Sequence, residues 1–165
     1  VKNQDRLLKS HQAGADYMQD VLNVEATSPA TLSPELTKHF RGLRLWLPLQ
    51  ILGVGPFRAA LQEKMLLARY FHEQLSGFNG FEVGPEPDLS VVTYRFIPDS
   101  GDADTFNERL VQAIHNDGRI FVSSTRLNGV YMLRMAALCF RTHKKDIDTA
   151  LTVLKELSSA LNQTH

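Results

Sequence analysis

The sequence predicts an α/β chain in which a small antiparallel sheet is covered on one face by helices and preceded by a long polar arm. Three observations carry that expectation. Residues 90–97 (SVVTYRFI) are dense in β-branched and aromatic side chains, the composition of a strand. Asn128-Gly129 joins two strand-like stretches, residues 119–125 and 130–138, and that dipeptide favours a hairpin because both turn positions need positive φ. Elsewhere, in 57–75 and 147–161, apolar residues recur at helical spacing, as in helices with one buried stripe.

Taken in order, the first forty residues are polar and weakly patterned, and residues 26–34 (ATSPATLSP) form a turn-rich connector. A connector of that length within a compact domain is either functional or disordered. From Arg41 the character changes. Leu43, Leu45, Trp46, Leu47, Leu49, Ile51 and Leu52 are apolar almost all round a helix, the pattern of a buried one. Pro48 should kink that helix or delay its start. Gly53-Val54-Gly55 breaks it, and Pro56 suits the first position of a second helix. The second helix carries an apolar stripe of Phe57, Leu61, Met65, Ala68, Phe71 and Leu75 and is expected to end near Gly77. Its opposite face holds Arg58, Gln62, Glu63, Arg69 and Glu73. Asp102 or Asp104 can cap a third helix that stops at Asp117-Gly118. Thr142 is expected to cap a last helix with Ile147, Leu151, Leu154 and Leu161 facing inward.

Composition narrows the function. The 165 residues hold 18 Lys+Arg against 18 Asp+Glu, so the cationic excess that displaces counterions from duplex nucleic acid is missing. No apolar run is long enough for a bilayer and no signal peptide opens the chain. One cysteine, Cys139, precludes an internal disulfide and a multi-cysteine metal site. These features predict a soluble, cytoplasmic protein, and a start at Val1 rather than Met predicts a fragment. Gly53-Val54-Gly55 is read as a helix break and not a dinucleotide loop: no strand precedes it, and Arg58 stands where the third glycine would. The six histidines pair with no second ligand at metal-binding spacing, so no metal is expected. Cys139 is expected to pack inside a buried strand.

Longer motifs go further. Lys38-His39-Phe40-Arg41 leads into Gly42-Leu43-Arg44-Leu45-Trp46, and residues 118–125 (GRIFVSST) precede Asn128-Gly129-Val130-Tyr131-Met132-Leu133-Arg134-Met135. A helix then opens at Thr142 with Asp146-Ile147-Asp148. This series resembles the C-terminal portion of the group II pyridoxal-phosphate-dependent amino-acid decarboxylases, the aromatic-amino-acid, histidine and glutamate decarboxylase family. There a basic–basic–aromatic–basic tetrad leads into a small residue, a basic residue and a tryptophan, and His39 departs from the usual arginine. The resemblance covers essentially the whole chain. It implies the C-terminal segment of a fold-type-I enzyme, with residues 1–40 ending the large domain and carrying an active-site loop. Residues 41–76 would be connecting helices, and 77–165 a small C-terminal domain.

The family's His-Lys-aromatic cofactor site has no counterpart here. Only Lys144 of the seven lysines follows a histidine, and no aromatic residue follows it. The resemblance therefore implies that pyridoxal phosphate is bound by an upstream part and not by this segment alone. It implies that Tyr17 is the loop tyrosine that returns a proton to the substrate α-carbon after carbon dioxide leaves. The bland alternative is a tyrosine on a surface loop. Thr37, with Lys38 beside it, matches a position lining the partner subunit's active site and influencing substrate size. Thr37 equally suits a helix N-cap. Arg134 matches an arginine near the cofactor-bearing domain, where an architectural role is favoured, with an anionic or carbonyl partner. The implied protein is a homodimeric carboxy-lyase converting an L-amino acid to its amine and carbon dioxide. The competing reading is a non-enzymatic α/β regulatory or binding module, which would need neither the broad apolar helix nor the polar arm. That helix is expected to be buried against a second copy or the missing large domain.

Overall fold

A computed structural model describes Arg6 and residues 39–163. Tyr17, Thr37 and Lys38 lie outside the described residues. The chain divides into two compact units, Val1–Ile51 and Leu52–His165.

Helix α1 spans Leu43–Leu52 and runs through Pro48, which removes the backbone bond to Arg44 without ending the helix. None of its residues is buried, and Ile51 is 70% exposed. Gly53, at φ +72°, turns the chain out of α1. Helix α2 (Gly55–Ser76) then starts with Pro56 in its first turn. Its inner face holds Leu67, Ala68, Phe71 and Leu75. The expected stripe is corrected at its N-terminal half: Leu61 is 68% exposed, and Lys64 is buried in its place.

Strands β1 (Phe81–Val83), β2 (Val91–Phe96), β3 (Ser123–Leu127) and β4 (Val130–Ala136) form one sheet in the order β1-β2-β4-β3. Every neighbouring pair is antiparallel. The three-residue β1 is too short to leave a pattern in the sequence. The β3–β4 hairpin turns at Asn128 (φ 52°) and Gly129 (φ 84°) as expected. β3 begins four residues later than the strand-like stretch suggested, because residues 119–122 lead out of α3 (Ala103–Asp117) and not into the ladder.

Asp102 is the cap of α3: its carboxylate accepts from the Thr105 N–H at 2.8 Å. Gly118 closes the helix in the left-handed conformation. Helix α4 (Lys144–Asn162) is capped by His143 and not by Thr142, with Asp146 accepting from the His143 N–H at 2.8 Å.

Alternation along β2 sends Val92, Tyr94 and Phe96 to the face that α2, α3 and α4 cover. Leu133 and Met135 of β4 join them there, opposite Tyr94 and Val92 in the register. Asn107, fully buried on α3, splices its helix to this layer. Its Oδ1 accepts from Phe96 N–H at 2.9 Å, and its Nδ2 donates to the Phe96 and Ala103 carbonyls at 2.7 Å each. The buried amide is thus satisfied on both its polar atoms.

Candidate functional site

Of the four candidate site residues Tyr17, Thr37, Lys38 and Arg134, only Arg134 is among the described residues. It lies on β4, exposed, on the face away from the helices, between Thr93 of β2 and Ser123 of β3 in the register. Its Nε donates to Ser123 Oγ at 3.0 Å. The expected anionic or carbonyl partner is replaced by a hydroxyl, because exposure leaves water to solvate the remaining guanidinium donors. On the same face Arg95 of β2 pairs with Glu82 of β1 at 2.6 Å.

Cys139 is corrected as well. β4 ends at Ala136, so Cys139 falls in the exposed loop before α4. The Arg141 backbone N–H holds its thiol below the ordinary value, helped by the charges of Arg141 and Lys64.

The loop containing Cys139 is pinned from beneath by a residue that sequence reading placed nowhere. Lys64, 4% exposed on α2, donates to the carbonyls of Phe140 and Thr142 and to Glu63. Glu63 reaches on to His143 Nδ1 at 2.7 Å, and this hydrogen bond is the main reason its carboxyl titrates below the usual range. Nearly two helical turns further on, Tyr70 donates to Asp148 at 2.8 Å, and Lys144 donates to both. The Asp148 and Tyr70 hydrogen bonds push the Lys144 amine up. α2 and the start of α4 are thereby fastened at two points. No single-residue signal marks Lys64 in the sequence, since a lysine at helical spacing reads as a solvated face.

These settings decide which residues suit an aldehyde cofactor. A lysine that forms a Schiff base must give up its proton, which a desolvated pocket or a neighbouring cation promotes. Lys64 is occupied by the Phe140 and Thr142 carbonyls and by Glu63, Lys144 is held protonated by Asp148 and Tyr70, and Lys145 and Lys155 face solvent. The described lysines therefore do not fit a covalent anchor for pyridoxal phosphate. Among the described residues no group of three His, Cys, Asp or Glu side chains is placed to hold a metal. No described helix is long and apolar enough to cross a membrane.

No family model matches the chain. Comparison with individual proteins finds relatives of one kind. Tyrosine decarboxylase 2 of Arabidopsis thaliana is 32% identical over 164 residues, 96% of this chain and 30% of that protein. The aromatic-L-amino-acid decarboxylase of Bacillus atrophaeus is 28% identical over 168 residues, 98% of this chain and 35% of that protein. The fold recurs in crystal structures. Oryza sativa TDC with PLP and tryptamine superposes with a TM-score of 0.72 at 22% identity, over 98% of this chain and 35% of that one. Catharanthus roseus tryptophan decarboxylase with L-tryptophan gives 0.70 at 24% identity, over 98% and 34%.

The class of protein that the chain resembles is thus the pyridoxal-phosphate-dependent group II decarboxylases. Within it, the chain is related to the tyrosine, tryptophan and aromatic-amino-acid decarboxylases and corresponds to their C-terminal portion. It spans about a third of the length of the curated relatives it matches.

Proposed function

We propose that this chain is the C-terminal portion of a carboxy-lyase that converts an L-amino acid to its amine and carbon dioxide with pyridoxal phosphate. The observation that carries the reading is the 32% identity to a tyrosine decarboxylase across 96% of the chain. The cofactor supplies the electron sink for loss of the carboxylate, and its anchor belongs to an upstream part of the protein. Residues 1–40 end the large domain, 41–76 connect, and 77–165 make the small domain. The protein is cytoplasmic and homodimeric, and the exposed apolar surface of α1 supports burial of that helix against another polypeptide.

Tyr17 is the proposed proton donor to the substrate α-carbon. A phenol carried on a closing loop returns a proton while the loop excludes water. Thr37 and Lys38 line the substrate site of the partner subunit. Arg134 orders the sheet face through Ser123.

The test uses the complete protein with pyridoxal phosphate and carboxyl-labelled L-tyrosine or L-tryptophan. Label should leave as carbon dioxide in equal amount to the amine formed; release no faster than with cofactor alone would overturn the reading. Within that enzyme Tyr17→Phe should keep substrate affinity and lose amine formation by on the order of a hundred- to ten-thousand-fold. Unchanged amine formation would make Tyr17 an ordinary loop residue.

A further inference from the structure

Between the turn joining α2 to β1 and the C-terminal turns of α4 lies a cleft of about 580 Å³, within the usual range for sites that take small molecules. One wall is aromatic. Phe78 meets Phe81 edge-on at 6.4 Å, and Phe81 meets Phe96 edge-on at 5.1 Å. The turn comes close over Phe96 because residue 80 is glycine: a Cβ there would stand 2.5 Å from the ring. That glycine also holds φ +84°, which other residues rarely adopt.

Charged side chains line the same cleft. Lys155 of α4 lies with its ammonium 5.7 Å from the Phe78 ring centroid, and no described carboxylate pairs with it. Asp99 is held in place by Asn162, whose Nδ2 donates to Oδ2 at 2.6 Å and whose Oδ1 accepts from the Asp99 N–H at 3.2 Å. Asp99 Oδ1 has no partner among the described residues. The cleft therefore offers one cation that no described carboxylate neutralises, one oriented carboxylate with an open oxygen, and a phenyl surface.

A simple anion would meet repulsion from Asp99, and a simple amine would meet repulsion from Lys155. A zwitterion satisfies both, and an aromatic side chain satisfies the phenyl wall through offset or edge contacts. We propose that this cleft binds a free aromatic amino acid, its carboxylate on Lys155, its ammonium on Asp99 and its ring against Phe78 and Phe81. The site uses none of Tyr17, Thr37 or Lys38. It is a second binding place for such a ligand, separate in its residues from the proposed reaction. The proposal does not rest on the decarboxylase reading, since it follows from the charges and rings alone.

The test is a titration of the full chain, labelled with nitrogen-15, with L-phenylalanine, 3-phenylpropionate and phenethylamine in parallel. L-phenylalanine should give saturable amide shifts concentrated at residues 77–80, 97–99 and 155–163. Each analogue lacking one charge should bind about two- to fivefold more weakly, the worth of one exposed charged contact. Lys155→Met and Asp99→Asn should each weaken L-phenylalanine by a similar factor. Both positions are exposed, and the spectra themselves report that the variants are folded. No saturable shift, shifts centred elsewhere, equal binding of the three compounds, or variants that bind as well as the parent would each overturn the proposal. Loss of decarboxylation in the complete protein would leave it untouched.

Discussion

Tyr94 is fully buried at the centre of the helix-covered face, and its hydroxyl has no hydrogen-bond partner among the described residues. Its ring packs at 5.4 Å against Phe71 and at 6.3 Å against Phe81, so the aromatic body is well placed and only the oxygen is not. Burial pushes the phenol's pKa far up, and an unsatisfied buried hydroxyl costs about 1–3 kcal/mol. Tyr94→Phe should therefore leave the unfolding free energy unchanged or raise it by about 1 kcal/mol. Chemical denaturation checks this, and a loss of more than about 1 kcal/mol would mean that the hydroxyl holds a buried water. The lysines make a second prediction at this scale. Borohydride treatment of the chain with pyridoxal phosphate, followed by mass mapping, should give no stoichiometric adduct at one site. A clean adduct on a single lysine would put the cofactor anchor inside this chain.

Among the elements, the loop from β4 to α4 depends on one ammonium from α2. Leu138 and Phe140 stand exposed on that loop, Phe140 at 72%, so apolar packing does not hold it. Lys64 does, through the Phe140 and Thr142 carbonyls. Lys64→Met keeps the stem's volume but strands two carbonyls and leaves Glu63 with His143 alone. It should cost about 1–3 kcal/mol, with faster amide exchange in residues 138–143 than in the β2–β4 ladder. Uniform loss of protection across the sheet would make Lys64 a general core residue. The helix caps are legible by contrast. Asp102 and Gly118 bound α3 as their residue types require. The cap of α4 moved by one residue because the Asp146 carboxylate reaches back to accept from the His143 N–H.

For the whole molecule, α1 is the feature left over. Its side chains Leu45, Trp46, Ile51 and Leu52 are exposed, and each forgoes roughly 1.5–3 kcal/mol by staying in water. The chain should therefore associate in solution, and light scattering should report a species larger than one copy. A Leu45→Glu, Ile51→Glu double variant should shift it to monomer while the circular dichroism of the sheet unit is kept. A monodisperse monomer of the parent chain would show that α1 needs no partner.

The sequence by itself determined the local features whose cause is local: the hairpin at Asn128-Gly129, the break at Gly53 and the stops and starts of α2 and α3. It also determined the inner stripe of α4 through Ile147, Leu151 and Leu154, since periodicity reports burial directly. The order and spacing of its motifs carried the likeness to the decarboxylases. Tertiary structure alone decided the burial of Lys64, because its acceptors come from residues 76 and 78 positions away. Asn107 is the same case, its partners lying on another element. β1 exists only as a partner of β2, three residues that no propensity marks. Cys139 left the core because the ladder ends at Ala136, and a strand's end is set by where its neighbour stops pairing. The cleft at Lys155 belongs to the same group: its phenyl wall and its charges are far apart in sequence, and only the packing of α4 beside β1 and β2 sets them around one space.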